Sequence, residues 1–246
     1  MFTRSKRILL LLYLLLLTVS ASPIMGHPAG KDLKVKNEAE RATDSATVLT
    51  AIMGIPESAI PEELMERAHG IAVIPHVVKG AFGFGGQWGK GLAAQRREDG
   101  SWSAPAFIQI TGGSFGLQLG VQATDLILVF TDENGMKPLL KGKVQIGADA
   151  SAAAGPVGRK AAIGTDVLLR TAIFTYSRSK GLFAGVSLDG SAITIDDNAD
   201  HRVYGSNVTG ENILVRGTVR ANSTIEPFMM ALKSVSPPHV HASRSS

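Results

Sequence analysis

The sequence predicts an α+β fold in which N-terminal helices precede a strongly curved, largely antiparallel or barrel-like β-sheet. The main evidence is strict alternation over residues 112–122, where large apolar side chains alternate with glycine, serine and glutamine. A period of two indicates a strand with two different faces. The pattern returns over residues 80–91 and 182–188, and the helical signals come before the strands without βαβ alternation.

One face of these strands is almost without side chains, because glycine recurs at alternate positions. Glycine inside a strand costs entropy and packing, so it marks a sheet bend or the close approach of another backbone. A valine at Gly116 or Gly120 should therefore be strongly destabilising. The opposite, apolar face should be buried, including Phe115, Leu117, Leu119 and Leu128.

Two helices open the predicted fold. Apolar residues recur at spacings of three and four over residues 32–53, which is one helix stripe. Gly54 and Pro56 end this helix, which we expect to cover part of the sheet. Pro61 begins a short second helix over residues 61–68.

The strands follow the helices. Asp99-Gly100 is a hairpin turn signal between two of them. After the sixth strand we expect a helical turn over 134–140, and near the end of the chain a helix over 226–233. The predicted strands cover residues 71–78, 82–88, 92–97, 106–111, 115–122, 126–131, 166–176 and 182–195.

The first 21 residues are typical of a secretory signal peptide. Three basic residues precede an apolar run over 8–17, and Val19-Ser20-Ala21 is a small-x-small cleavage frame. The run is short for a membrane span, which needs about 20 residues, although an uncleaved signal anchor is the alternative. The chain has no cysteine, so it has neither a lipobox nor disulfides. We expect a periplasmic or secreted protein with a flexible leader over residues 22–31.

The net charge of the predicted mature chain argues against a nucleic-acid-binding protein. The full chain has 25 lysines and arginines against 21 acidic residues, a formal charge of +4. Three of the basic residues lie in the predicted signal peptide, so cleavage leaves a net charge of +1. Proteins that bind nucleic acids carry clustered, strongly basic charge. We therefore expect no nucleic-acid partner.

No motif in the sequence indicates catalysis, a cofactor or a metal. Residues 80–91 lack the spacing of a phosphate-binding loop or a dinucleotide fingerprint. Asp196, Asn198 and Asp200 have the D-x-N-x-D spacing of a calcium loop, but His201 stands where the turn glycine belongs. We interpret residues 196–200 as a polar turn that closes the last strand. No nucleophile elbow, catalytic cysteine or paired carboxylates can be identified.

Several motifs resemble the SYLF domain family. They are residues 102–107 (WSAPAF), 112–120 (GGSFGLQLG), 147–158, and 176–185 (YSRSKGLFAG). They occur in order, so the sequence predicts a SYLF-like domain over residues 32–214 and a C-terminal extension over 215–246 with a short helix and a disordered tail. The resemblance implies lipid and actin binding in eukaryotic members and export in bacterial ones.

Positive charges beside apolar residues suit an anionic lipid surface. Arg159-Lys160 follows a Gly/Ala-rich segment, and Arg178 and Lys180 precede Leu182 and Phe183, which we expect to be exposed. With the resemblance, these residues predict a non-catalytic envelope protein that binds anionic phospholipid, phosphatidylinositol included. The alternative is a structural or protein-interaction module without a lipid ligand, its protein partner unknown. The predicted lipid-binding residues are Arg159, Lys160, Arg178, Lys180, Leu182 and Phe183.

Overall fold

The computed structural model describes residues 37–82, 84–114, 120–179 and 182–236. These residues belong to one compact unit that begins at Asn37. The predicted signal peptide and leader lie outside the described residues, as do Lys180 and the tail from Pro237 onward. The same holds for Phe115, Leu117, Leu119 and Gly116, so their predicted roles stay predictions, whereas Leu128 is fully buried as expected.

Six α-helices and one π-helix are present in the described part of the chain. Asn37 caps the first helix by accepting a hydrogen bond from the backbone N–H of Glu40. The helices are α1 (Glu38–Gly54), α2 (Glu62–Glu66), α3 (Glu133–Leu140), α4 (Thr165–Arg170), α5 (Asp197–Tyr204) and α6 (Glu226–Val235), with the π-helix at Asn212–Arg216 before α6.

The described residues contain nine strands, which form one strongly curled sheet and confirm the predicted fold class. The strands are β1 (Gly70–Phe82), β2 (Phe84–Gln95), β3 (Ala106–Ser114), β4 (Gly120–Phe130), β5 (Lys143–Gln145), β6 (Ala152–Ala154), β7 (Ile173–Ser179), β8 (Leu182–Gly185) and β9 (Ser191–Ile195). The spatial order of the sheet is β5-β9-β3-β2-β1-β4-β7-β6, and β8 pairs with the remaining length of β7. Only β6 and β7 run parallel; the other pairs are antiparallel.

Helix α1 lies on β1 and β2 as predicted, and α6 packs against α1. The buried face of α1 is rotated from the predicted apolar stripe, because the buried residues include the polar Arg41 and Ser45. The Ser45 hydroxyl donates to the carbonyl of Val73 at 3.5 Å, and Arg41 pairs with Asp196. Both side chains thus have a partner, although the Nε and Nη2 atoms of Arg41 are buried without a hydrogen bond.

Several predicted elements differ from the structure. The predicted strands over 82–88 and 92–97 are one continuous strand, β2, and the predicted strand over 182–195 is divided into β8 and β9. Residues 165–170 form helix α4 rather than a strand. The sequence did not predict this helix, because the three consecutive apolar residues from Val167 to Leu169 have no period of two and are compatible with either a helix or a strand. Residues 196–200 are not a simple turn. Asp196 accepts a hydrogen bond from the backbone N–H of Ala199 and so caps α5.

A bulge in β1 explains some of the strand glycines. The pairing register shifts around Pro75-His76, and His76 has a positive φ of 53°. The bulge folds over β2, so a Cβ at Gly91 would overlap the carbonyl oxygen of Val73. Among the described residues, nothing lies within 4 Å of the corresponding position at Gly80. The expected close approach of another backbone is thus confirmed at Gly91, whereas the described part of the chain shows none at Gly80.

Candidate functional site

Three strand connections lie at the same end of the sheet, which we call the hairpin end. Strand β1 joins β2 at Phe82 and Phe84, and β3 leads to β4 at residues 114–120. Ala81 pairs with Gly120, which puts these two connections side by side. The β7–β8 connection follows Ser179, whose hydroxyl oxygen accepts a hydrogen bond from the Gln122 side chain of β4 at 2.8 Å.

In the β7–β8 hairpin, Phe183 and Leu182 are on opposite faces of the sheet. Arg178 and Phe183 are register partners and share one sheet face, where the guanidinium lies 5.6 Å from the ring centroid. Phe183 is therefore 7% exposed, and its expected exposure is wrong. Leu182 pairs with Ser179 on the opposite face and is 75% exposed. The apolar group available at the surface of this hairpin is thus Leu182.

Lys79, which sequence reasoning missed, shares the face of Leu182. It pairs with Gln122 in β4, and Gln122 reaches Ser179, the register partner of Leu182. Burial lowers the pKa of Lys79, because a partly enclosed ammonium group loses hydration. The signal in the sequence was a single lysine among apolar and glycine residues of one strand. One face of the hairpin end therefore presents a cation and an exposed leucine.

The opposite face of the hairpin end carries an exposed aromatic side chain. Trp88 is 44% exposed, and the Lys90 ammonium lies 5.8 Å from its ring centroid. Arg178 is on this same face and lies 3.9 Å from the Asp125 carboxylate. Asp125 also accepts a hydrogen bond from the backbone N–H of His76, which holds the β1 bulge in place. The charge of Arg178 is thus partly balanced by an internal ion pair with Asp125.

Arg159 and Lys160 lie on another part of the molecule. The Arg159 side chain donates to the carbonyl of Met53 at the end of α1, at 3.2 Å, and its backbone N–H donates to Pro56. Lys160 is exposed beside it. Among the described residues, no hydrogen bond, ion pair or ring contact joins this pair to the β7–β8 hairpin. The predicted site residues thus form two separate groups.

A buried charge network lies between α1, β2 and α5. The Asp196 carboxylate is 3.2 Å from both the Arg41 guanidinium and the Lys90 ammonium. Burial alone would raise the pKa of Asp196, but the hydrogen bond and charge of Lys90 and the charge of Arg41 hold it below its usual value. Both carboxyl groups of the apparent calcium motif are therefore part of the protein interior, because Asp200 is also buried here.

Asp200 is the most perturbed carboxyl group of this network. One oxygen accepts a hydrogen bond from the backbone N–H of Phe107 at 2.8 Å, while the other is buried without a partner. Burial raises the pKa of Asp200 to about 7, and the Phe107 hydrogen bond opposes that rise. The charges of Asp197 and Asp196 also raise it, and that of Arg41 lowers it. Asp200 therefore stabilises the packing of α5 on β3 best when it is protonated.

The described residues contain neither a metal-binding cluster nor a membrane-spanning helix. No group of three or more histidine, aspartate or glutamate side chains in that part of the chain is arranged to hold a metal ion. No helix of the described ranges has the length and apolar character needed to cross a bilayer. The surface features that remain are the hairpin end, the Arg159–Lys160 group and the clefts around α6.

A model of the Ysc84 family, described as "Las17-binding protein actin regulator", matches residues 111–235. The chain is 36% identical over 181 residues to LAS seventeen-binding protein 3 of Saccharomyces cerevisiae, covering 72% of this chain and 39% of that protein. It is 37% identical over 181 residues to Protein YSC84 of the same yeast, covering 72% and 38%. It is 32% identical over 201 residues to SH3 domain-containing YSC84-like protein 1 of Homo sapiens, covering 80% and 57%. The chain thus spans about two-fifths to three-fifths of the length of these relatives.

Proposed function

Because the chain belongs to the Ysc84 family of SYLF domains, we propose that it is a non-catalytic module that binds anionic phospholipid surfaces through its hairpin end. The observation that carries this proposal is Leu182, which is 75% exposed on the same face as Lys79. An exposed leucine on the same face as a cation matches the chemistry of a lipid headgroup layer above acyl chains.

Such a contact combines a modest electrostatic free energy with a modest hydrophobic one. Each cation near an anionic membrane contributes about 1 kcal/mol, and full burial of a leucine side chain contributes about 2 kcal/mol. Lys79, together with Lys180 of the β7–β8 connection, supplies the charge, and Leu182 supplies the apolar anchor, whereas Arg178 is on the opposite face beside Asp125. Because the attraction depends on exposed charge, vesicle binding should weaken between low and physiological salt.

Vesicle co-sedimentation tests the proposal. The parent protein should sediment with vesicles that contain phosphatidylglycerol or phosphatidylinositol and stay in solution with phosphatidylcholine alone. Lys79→Gln combined with Leu182→Ser should abolish sedimentation. Lys141→Gln combined with Lys143→Gln removes two exposed cations elsewhere and should leave sedimentation unchanged. Thermal unfolding of each variant checks that the fold is intact.

The second predicted group is tested separately. Arg159→Gln combined with Lys160→Gln should weaken sedimentation only slightly, since this pair lies away from the hairpin end. Glutamine at all four predicted cations, with Arg178 and Lys180 included, should abolish it. If the hairpin-end variant sediments like the parent, or if the Arg159–Lys160 variant alone abolishes binding, the proposed location is wrong.

Export is part of the same proposal. The basic, apolar and small-x-small segments of residues 1–21 support cleavage after Ala21, which leaves a mature chain that begins at Ser22. N-terminal sequencing of periplasmic or secreted material tests it. An intact Met1 in that material would support the alternative of an uncleaved signal anchor.

A protein-interaction module is the second candidate function. It is supported by the names of the relatives, which describe Las17-binding and SH3 domain-containing proteins, and by the family description as an actin regulator. Co-sedimentation with actin filaments, measured beside the vesicle assay, separates the two functions. Sedimentation with filaments but with no anionic vesicle would favour the protein-interaction module.

A further inference from the structure

A cleft of about 740 Å³ lies between helix α6 and the turn that joins β2 to β3, away from the residues of the proposed lipid surface. Its volume is within the range of small-molecule sites. Trp102, Met229 and Met230 supply most of its apolar wall, and Arg96 and Lys233 supply two cations. Such a wall can enclose a ligand that has an apolar body and a charged group.

The Trp102 side of the cleft is rigid. The indole Nε1–H donates to the Ser236 hydroxyl oxygen at 2.6 Å, which ties the turn to the end of α6. The Arg96 guanidinium lies 5.4 Å from the indole centroid and donates to the carbonyl of Met65 at 2.9 Å. Burial lowers the pKa of Arg96, yet a guanidinium stays charged at physiological pH. This side therefore presents a fixed positive charge beside an aromatic wall.

The α6 side of the cleft is adaptable. Met230 is 59% exposed, and methionine side chains rearrange to fit apolar ligands of different shape. Lys233 is exposed one turn further along the helix, on the way to Ser236. The acidic residue of the wall, Glu226, is seven residues before Lys233, or about 10 Å along a helix axis. Trp102 contacts both Ser236 at the end of α6 and the Arg96 guanidinium, so Arg96 lies toward the end of the helix that carries Lys233 rather than toward Glu226.

We infer that this cleft binds a hydrophobic carboxylate, with its anionic group toward Lys233 and Arg96 and its apolar body against Trp102, Met229 and Met230. Charge complementarity selects the anion, because the cationic end of the cleft is separated from Glu226. The apolar wall selects against small inorganic anions, because they have no apolar surface to bury against it. The ligand's apolar body is either aliphatic or aromatic, and both forms share this recognition chemistry.

Tryptophan fluorescence tests the inference. The chain has two tryptophans, so Trp88→Phe leaves Trp102 as the single reporter in the cleft. Octanoate and 2-naphthoate represent the two forms of the ligand, and octyltrimethylammonium is the cationic match of octanoate in chain length. Octanoate should change the Trp102 emission at concentrations at least tenfold lower than octyltrimethylammonium does. Calorimetry of 2-naphthoate binding to the unmodified protein avoids both the substitution and optical overlap.

A charge reversal provides the matched control. Lys233→Glu should remove the preference for octanoate over octyltrimethylammonium, whereas Lys141→Glu makes the same change of net charge outside the cleft and should keep it. Equal affinity for the two amphiphiles, or a preference that survives Lys233→Glu, would overturn the inference. So would the absence of heat and of any emission change with both carboxylates. Binding of one carboxylate but not the other would support the site and assign the form of its ligand.

Discussion

The buried carboxyl group of Asp200 should make the stability of this protein depend on pH, and Asp200→Asn should remove that dependence. The group is fully buried and its folded-state pKa is about 7, against an ordinary value of 3.8. A raised carboxyl pKa means that the folded state holds the proton more strongly than the unfolded chain does. The stabilising contribution is therefore complete below about pH 4 and is lost as the pH rises to about 7.

The magnitude follows from the difference between the two pKa values. About three pKa units at about 1.4 kcal/mol per unit set an upper limit of about 4 kcal/mol on the stability lost between pH 4 and pH 8. Asp196, whose pKa is lowered, acts in a different range, because its contribution is lost only as the pH falls below about 4. The two buried carboxylates therefore affect separate pH windows.

Asparagine is a near-isosteric probe of this effect. Its side-chain oxygen can still accept the hydrogen bond from the Phe107 N–H, while its amide group replaces an oxygen that has no partner. The buried amide adds a pH-independent cost of about 1–3 kcal/mol. The informative quantity is therefore the difference in the free energy of unfolding between the parent and Asp200→Asn, compared at pH 4.5 and pH 8. From pH 4.5 to pH 8 we expect the variant to become more stable relative to the parent by about 2–4 kcal/mol.

Urea unfolding of both proteins at pH 4.5, 6 and 8 measures this quantity. Asp197→Asn is the control, since Asp197 is the exposed neighbour on α5 and its removal should change the pH dependence by less than about 1 kcal/mol. A stability difference between parent and Asp200→Asn that stays constant from pH 4.5 to pH 8 would refute the reasoning. So would a change in the opposite direction.

Three further predictions concern the fold. Gly91→Val should destabilise the protein by about 3 kcal/mol or more, because its Cβ would overlap the β1 bulge, whereas Gly80→Val should change the thermal midpoint little. Arg41→Met should cost about 3 kcal/mol at pH 7 in urea unfolding, since it removes one of the two cations, Arg41 and Lys90, that pair with the buried Asp196 carboxylate; an unchanged unfolding midpoint would contradict this. Gly120→Val should lower the thermal midpoint strongly, and a midpoint equal to the parent's would show that this face is open.

Several features could be predicted from the sequence because they depend on local patterns. The period of three to four residues predicted α1 over residues 32–53, and the structure confirms a helix at Glu38–Gly54. The period of two predicted a curved antiparallel sheet, and a helix was also correctly placed over residues 226–233. Each of these signals is contained in a short stretch of chain, so no knowledge of distant contacts was needed.

Other features depend on strand register, which the sequence does not encode in any short stretch. The position of Lys79 on the face of Leu182 follows from the pairing of four strands, β1, β4, β7 and β8. Phe183 is buried on the sheet face that it shares with its register partner Arg178, although the two lie in a segment that resembled an exposed basic loop.

By itself, then, the sequence determined the class of fold, the family and the absence of strong net charge in the predicted mature chain. Which charged side chains form ion pairs inside the protein was decided by the tertiary structure alone. It brought Arg41, Lys90 and Asp196 together from three distant segments and raised the pKa of Asp200 by burial. The physical reason is that periodicity reports which face of one element is apolar, whereas ion pairs, burial and clefts arise only where elements far apart in sequence meet.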